Sequence, residues 1–235
     1  MAPFYVGPTL VGEEVKVIGV LDRPYSLAYL DQLYREGLTL LEVRLDLFEG
    51  PLHDALNYVA QVAQLRRFGL LGTLRETPDN VFIRPALFEK FLAHVDMVDV
   101  EVDTPIREAV VALARKAGKK VLVSEHRFEG VPDESGLNAM FESALRLSPD
   151  LFKLAALVQS SEDLVRLLSF CHRCNATLPS CVLGMGPLGK PSRMVGGLFG
   201  SALTYGYLGD VPVAPGQLSA QALLLFLKQL NRTLA

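Results

Sequence analysis

Three cysteines among 235 residues are too few, and odd in number, for a disulfide framework. Such scarcity fits a chain kept reduced, and the expected compartment is the cytoplasm. A cationic surplus is missing too: 23 basic against 26 acidic side chains leave a formal net charge of −3. A nucleic-acid surface needs clustered cations, so no nucleic-acid partner is expected. Arg115-Lys116 with Lys119-Lys120 read as the solvated end of a helix. No uncharged run is long enough for a bilayer, and no membrane partner is expected. The longest runs lie between Arg173 and Lys190 and between Arg193 and Asp210, each broken by glycine or proline. The opening MAPFYVGPTLVGEEVK has neither the basic start nor the apolar stretch of a signal peptide. Cys171-His172-Arg173-Cys174 forms a lone CxxC with no second pair at ligand spacing. It reads as packing at a helix end, and no metal site is expected.

What the chain does have is alternation. Half of it is hydrophobic, and β-like runs alternate with helical ones throughout. The strand-like runs are KVIGVLD (16–22), LLEVRLD (40–46), LLGTLR (70–75), MVDVEVD (97–103), KVLVSEH (120–126), LFKLAAL (151–157), PSCVLGMG (179–186) and ALTYGYLG (202–209). Helical stretches follow each, among them LHDALNYVAQVAQLRRF, read as closed by Gly69, and SSEDLVRLLSFC, capped by Ser160 or Ser161. Eight strand–helix units without a linker predict a single α/β domain over 1–235, a (β/α)8 TIM barrel, with a short segment 1–15 before its first strand. An open doubly wound sheet is the alternative. The lack of GxGxxG after the first strand weakens its dinucleotide-binding form.

Residues two apart share a face of a strand. Glu42, Arg44 and Asp46 therefore stand together, as do Asp99, Glu101 and Asp103, while Ser124 pairs with His126 and LLGTLR ends in Arg75. With the apolar face against the helices, these side chains point into the barrel near the ends where barrel enzymes keep their chemistry. Internal ion pairs such as Glu42–Arg44 explain part of the pattern. LFKLAAL poses the sharper question, because Lys153 is the one charge on an apolar strand. It either sits at a strand end and reaches water along its stem, or is a buried amine held at low pKa by the apolar wall and nearby arginines. A neutral amine is a nucleophile, and His126 on the adjacent strand can shuttle protons. With Arg44, Arg75 and Arg193 to bind an anion, the set suits imine chemistry: a Schiff-base lyase or aldolase acting on an anionic keto compound.

These residues resemble type I 3-dehydroquinate dehydratase over most of the chain from about Lys16. The resemblance is carried by LLEVRLD, TLRE, SEHRFEG, LFKLAAL, and the ordered block MGPLGKPSRMVGGLFGSALTYG followed by APGQ. It implies a (β/α)8 barrel, usually a homodimer, that converts 3-dehydroquinate to 3-dehydroshikimate by syn dehydration in chorismate biosynthesis. It implies no metal or organic cofactor. By the same resemblance Lys153 attacks the C3 ketone, His126 moves the C2 proton and protonates the C1 hydroxyl, and Arg193 holds the carboxylate. Glu42, Arg44 and Arg75 match residues that bind ring hydroxyls. Gln217 matches a substrate-contacting glutamine on the last loop, Met185 a pocket methionine, and Phe199 an aromatic wall residue.

The chain departs from the family pattern at several points. Val213 stands where a serine is common, and Arg127 where Asp often follows the histidine. The carboxylate that orients the histidine matches Asp79 by spacing, with Glu76 the other candidate. A class I aldolase is a rival, since GMGPLGK imitates a phosphate-binding loop. An inactive barrel serving as a binding subunit is another, but it would have lost the lysine, the histidine or the arginines.

Overall fold

A computed structural model describes residues 3–77 and 80–234. Two short strands, β1 (Phe4–Val6) and β2 (Thr9–Val11), precede eight longer ones: β3 (Lys16–Leu21), β4 (Leu40–Arg44), β5 (Gly69–Thr73), β6 (Met97–Glu101), β7 (Lys120–Arg127), β8 (Leu151–Leu157), β9 (Ser180–Met185) and β10 (Leu203–Tyr207). Helices α1 (Leu27–Glu36), α2 (Leu52–Gln64), α3 (Arg84–Phe91), α4 (Arg107–Lys116), α5 (Glu134–Leu145), α6 (Ser161–Asn175) and α7 (Lys190–Val195) fill the crossovers. The chain closes with a two-residue strand, β11 (Leu218–Ser219), and α8 (Ala220–Leu234). β3 to β9 pair in order, all parallel, and β10 pairs with β3. β10 meets β9 at the strand starts, where the Ala202 amide donates to the Ser180 carbonyl at 2.8 Å. The curled parallel sheet with helices outside is a TIM-barrel-like fold.

Two apolar cores follow from the two faces of each strand. Outward residues such as Val43, Val98, Val123, Phe152 and Leu154 pack on the helices. Inward residues at the strand starts, among them Ile18, Leu40, Leu71, Met97, Leu122 and Leu151, fill the bottom of the barrel. The β1–β2 hairpin supplies Val6 and Val11 to that bottom layer. One pleat higher the inward positions are Glu42, Thr73, Asp99, Ser124 and Lys153, so polarity changes over a step of two residues.

Local signals explain most helix ends. Ser160 begins α6 with a reciprocal capping box with Asp163, and Ser26 caps α1, which stops at Gly37 with φ 108°. α2 ends earlier than its sequence pattern predicts, at Gln64. Gly69 does not close it; a Cβ there would meet the Val6 carbonyl at 2.2 Å, so the glycine admits the hairpin. On α8, Leu223 and Leu227 belong to the core. Cys171 and Cys174 are buried thiols on α6, and burial pushes them up to about 11 and about 12.

The end of β9 is held against the turn before α7 by two glycines. A Cβ on Gly184 would sit 2.6 Å from Gly189 Cα. Ser192 links the same segments: its hydroxyl accepts from the Gly184 amide at 2.7 Å and donates to the Gly189 carbonyl at 2.6 Å. Gly184→Ala is therefore expected to lower stability by about 2 kcal/mol through overpacking. Urea denaturation checks this, and an unchanged midpoint would remove the packing argument.

Candidate active site

Lys153 is not at a strand end. It is the third residue of β8, paired in register with Ser124, and only 6% exposed. Nor is it unpaired, as an isolated lysine on an apolar strand suggests. Nζ donates to Glu42 Oε1 at 3.4 Å and lies 3.6 Å from Asp99 Oδ2. Two carboxylates, rather than arginines, are its nearest charged neighbours, and the Tyr205 ring centroid is 3.9 Å away. His126 sits one pleat higher on β7, opposite Ala155.

A web of polar contacts fixes this layer. Glu42 accepts from Thr73 Oγ1 at 2.9 Å. Asp99 accepts from Ser124 Oγ at 2.6 Å and from Arg75 at 2.8 Å, while Arg75 also donates to Ser124 at 3.0 Å. Burial alone would raise Asp99, but Arg75, Lys153 and Ser124 outweigh it and bring the carboxyl down to about 2. Arg75 further reaches Glu101 at 3.1 Å, and the fully buried Arg84 pairs with the same carboxylate. Arg84 also donates to the Leu74 carbonyl and Thr104, tying the loop after β5 to the end of β6.

Burial, and then the charges of Arg75 and Lys153, push the His126 imidazole well below its ordinary value; Asp99 opposes them. The ring is therefore neutral at pH 7, the form a general base needs. The Glu76 carboxylate lies 3.5 Å from Arg84. Asp79 lies outside the described residues. The His126 ring stacks near Phe128, with centroids 6.3 Å apart.

The arginines divide into two kinds. Arg44 is held by Asp46 at 3.1 and 2.7 Å, so the expected Glu42–Arg44 pair gives way to a fork on the following turn. Arg193 is 3% exposed and, among the described residues, has no carboxylate partner. Its NH1 donates only to the Tyr205 carbonyl at 3.4 Å, and Nε has no partner. Burial brings its pKa down to about 10. A buried cation left unpaired is costly, so its place beside a cavity points to an anionic ligand.

Lys153, His126, Glu42, Arg44, Arg75, Arg193, Met185 and Gln217 all line one cavity of about 70 Å³. It shares His126, Arg44, Arg75 and Met185 with a vestibule of about 460 Å³. Gln217 Oε1 accepts from the Val213 amide at 3.0 Å, bracing the last loop. The Val213 side chain packs against the barrel interior and lines both the cavity and the vestibule. Arg127 forms an ion pair with Glu125 at 3.0 Å. The glycines of GMGPLGK serve packing: the Gly186 amide donates to the Pro215 carbonyl and the Gly189 amide to Gly186.

Phe199, matched as an aromatic wall residue, is not among the residues that line this cavity. It ends the turn Gly196–Phe199 and packs with the outer core, between barrel and helices. The wall aromatic is Tyr205, six residues on. The alternation rule could have found it, since Leu203 faces inward and Tyr205 stands two residues above. Asp99 was visible on the polar face of its strand, but its contact with the lysine needed the strand order, which sets only β7 between β6 and β8.

A family model for type I 3-dehydroquinase matches residues 22–233. A 3-dehydroquinate dehydratase from Methanothrix thermoacetophila is 33% identical over 192 residues, covering 80% of each chain. The crystal structure of 3-dehydroquinate dehydratase from Geobacillus kaustophilus has a TM-score of 0.83 over 98% of this chain and 97% of that one, and at 23% identity it speaks to the fold. A type I 3-dehydroquinate dehydratase from Clostridium difficile, solved with covalent modified comenic acid, gives 0.81 at 25% identity, covering 99% and 98%. With the model spanning nearly the whole barrel and a relative this similar, the chain belongs to the type I 3-dehydroquinase family.

Proposed function

We propose that this protein dehydrates 3-dehydroquinate to 3-dehydroshikimate through an imine on Lys153. The carrying observation is the buried Lys153 side chain in one cavity with the His126 imidazole and with an arginine, Arg193, that has no carboxylate partner among the described residues. Among the described residues Lys153, Arg44, Arg75 and, behind them, Arg84 each have carboxylate partners, and Arg193 has none. The site thus has a place for one negative charge, and a guanidinium fork suits a carboxylate.

The chemistry follows from those positions. Lys153, after giving up a proton, adds through Nζ to the C3 carbonyl carbon, and the carbinolamine loses water to leave a protonated imine. That cation draws electrons from the adjacent C2–H bond, and neutral His126 takes the proton. The electron pair forms the C1–C2 double bond as the C1 hydroxyl leaves, protonated by the same imidazole. Water then hydrolyses the imine, returning the ketone and the amine. One water is consumed and two are released, so the net change is loss of one. Glu42, Arg44 and Arg75 border the space for the ring hydroxyls, Met185 gives an apolar wall, and Gln217 closes the last loop beside it. No metal or organic cofactor enters these steps. Family resemblance is also the ground for a cytoplasmic homodimer whose only other partner is its small-molecule substrate; no helix among the described residues is long and apolar enough to cross a membrane.

Borohydride added with 3-dehydroquinate should leave a reduced adduct on the Lys153 peptide by mass spectrometry, alongside enone absorbance in unreduced samples. Turnover with no adduct would reject the imine. His126→Ala should lower kcat by about 10²- to 10⁴-fold while adduct formation stays detectable. Because only neutral His126 can accept a proton, activity should fall as pH drops through its pKa. With that pKa depressed, the acid limb of kcat/KM should lie well below pH 6.5, whereas a limb at or above 6.5 contradicts the assignment. Arg193→Leu should move two quantities in opposite directions. kcat/KM should drop about 10- to 100-fold with the lost charge-assisted contact, while the melting temperature rises because an unpaired buried charge has gone. A fall in both would make Arg193 a structural residue.

A further inference from the structure

Tyr205 stands on β10 between the two cations that the mechanism uses. Its ring centroid is 3.9 Å from Lys153 Nζ, and its carbonyl accepts from Arg193 NH1 at 3.4 Å. The residue is 3% exposed, it lines the cavity, and its hydroxyl is buried without a hydrogen-bond partner. An orphaned hydroxyl loses its hydration and gains nothing in return from the protein, so no hydrogen bond within the fold accounts for this side chain. Leucine or methionine could fill much of the volume without that cost. What neither offers is a π face, whose negative potential attracts a cation within about 6 Å and does so more strongly where water is excluded.

We propose that Tyr205 is a positioning residue for Lys153, its ring face holding the positive charge on Nζ before and after the imine forms. The inference rests on the imine reading above. In the free protein the ammonium has three N–H donors, two of which can serve Glu42 at 3.4 Å and Asp99 at 3.6 Å. In the protonated imine the nitrogen is bonded to the lysine carbon, doubly bonded to the substrate carbon, and keeps one hydrogen. Contacts made through N–H bonds are then reduced to one. The ring needs no N–H bond; it responds to charge spread over nitrogen and carbon. Tyr205 thus stabilises the iminium relative to the neutral carbinolamine, a difference that lowers the barrier to expelling water from the carbinolamine. Its carbonyl meanwhile holds Arg193, and as a main-chain contact it survives any substitution. Side-chain changes at this position therefore test the ring alone.

The test is a graded series. Tyr205→Phe sets the reference, and the same position is then filled with phenylalanine carrying one, two and three fluorines, which weaken the π face at nearly constant shape. kcat, KM and the rate of borohydride trapping on Lys153 are read for each, with Tyr205→Met as the non-aromatic limit. kcat and trapping should fall stepwise with fluorination, by roughly tenfold across the series, while KM holds because Arg193 keeps its place. Should the methionine variant fail to fold, the fluorinated series still decides. A flat series in a protein that traps and dehydrates normally overturns the role of the ring and leaves the imine reading intact. A loss confined to the Tyr205→Phe step also overturns it, by placing the effect in the hydroxyl. A parent protein that neither traps nor dehydrates overturns both readings.

Discussion

Burying the Lys153 ammonium on the barrel axis costs several kcal/mol of lost hydration unless opposite charge comes with it. β4 and β6 bring that charge as Glu42 and Asp99. Each carboxylate in turn needs donors, which Thr73, Ser124 and Arg75 provide. Arg75 then requires Glu101, and Glu101 is shared with Arg84 from α3. The chain of requirements runs from the middle of the barrel to its outer helices. Five strands contribute to it at one height, so the polar layer exists only when all of them are in register.

Arg193 breaks that pattern, and the break carries the functional meaning. A fold selected for stability alone would have supplied a carboxylate or replaced the arginine with an apolar side chain. Its guanidinium instead rests on a single main-chain carbonyl. Tyr205 shows the same kind of debt in its orphan hydroxyl. Both lie against the cavity that holds the lysine, and unmet polar requirements concentrated in one place mark where a ligand belongs.

Much of this was legible in the sequence, for a definite physical reason. Strand residues alternate faces, so LLEVRLD and MVDVEVD announce their inward side chains without any knowledge of the fold. The order of strand–helix units likewise fixes a parallel sheet. Depth was harder. Whether Lys153 lies at a strand end or two pleats down depends on where β8 begins relative to its neighbours, a matter of pairing across the sheet. Partners were harder still, because Glu42 and Lys153 are 111 positions apart and meet only across the barrel. Phe199 was matched by its place in the motif, which does not say whether a side chain faces the cavity; Tyr205, which lines it, was not singled out. The helix after β9 ends in a short turn that carries Phe199 outward. Gly69 misled for a related reason: a glycine that ends a helix and one that admits a neighbouring backbone look identical in one dimension.

The pairing of β10 with β3 has a consequence for how the molecule comes into being. Leu203 lies beside Lys16, so the last barrel strand completes a ring begun by the first. Contacts that distant in sequence form late and slowly, since the intervening loop must be closed before they return any free energy. Until then the interior is an open trough, and the lysine amine remains hydrated whatever its neighbours. The cost of drying that charge therefore falls on the final step of assembly, after the strands bearing its carboxylates are already in place. During synthesis the nascent chain can lay down most of its sheet without meeting that barrier, and a truncated product lacking the C-terminal strand would keep its reactive amine in water.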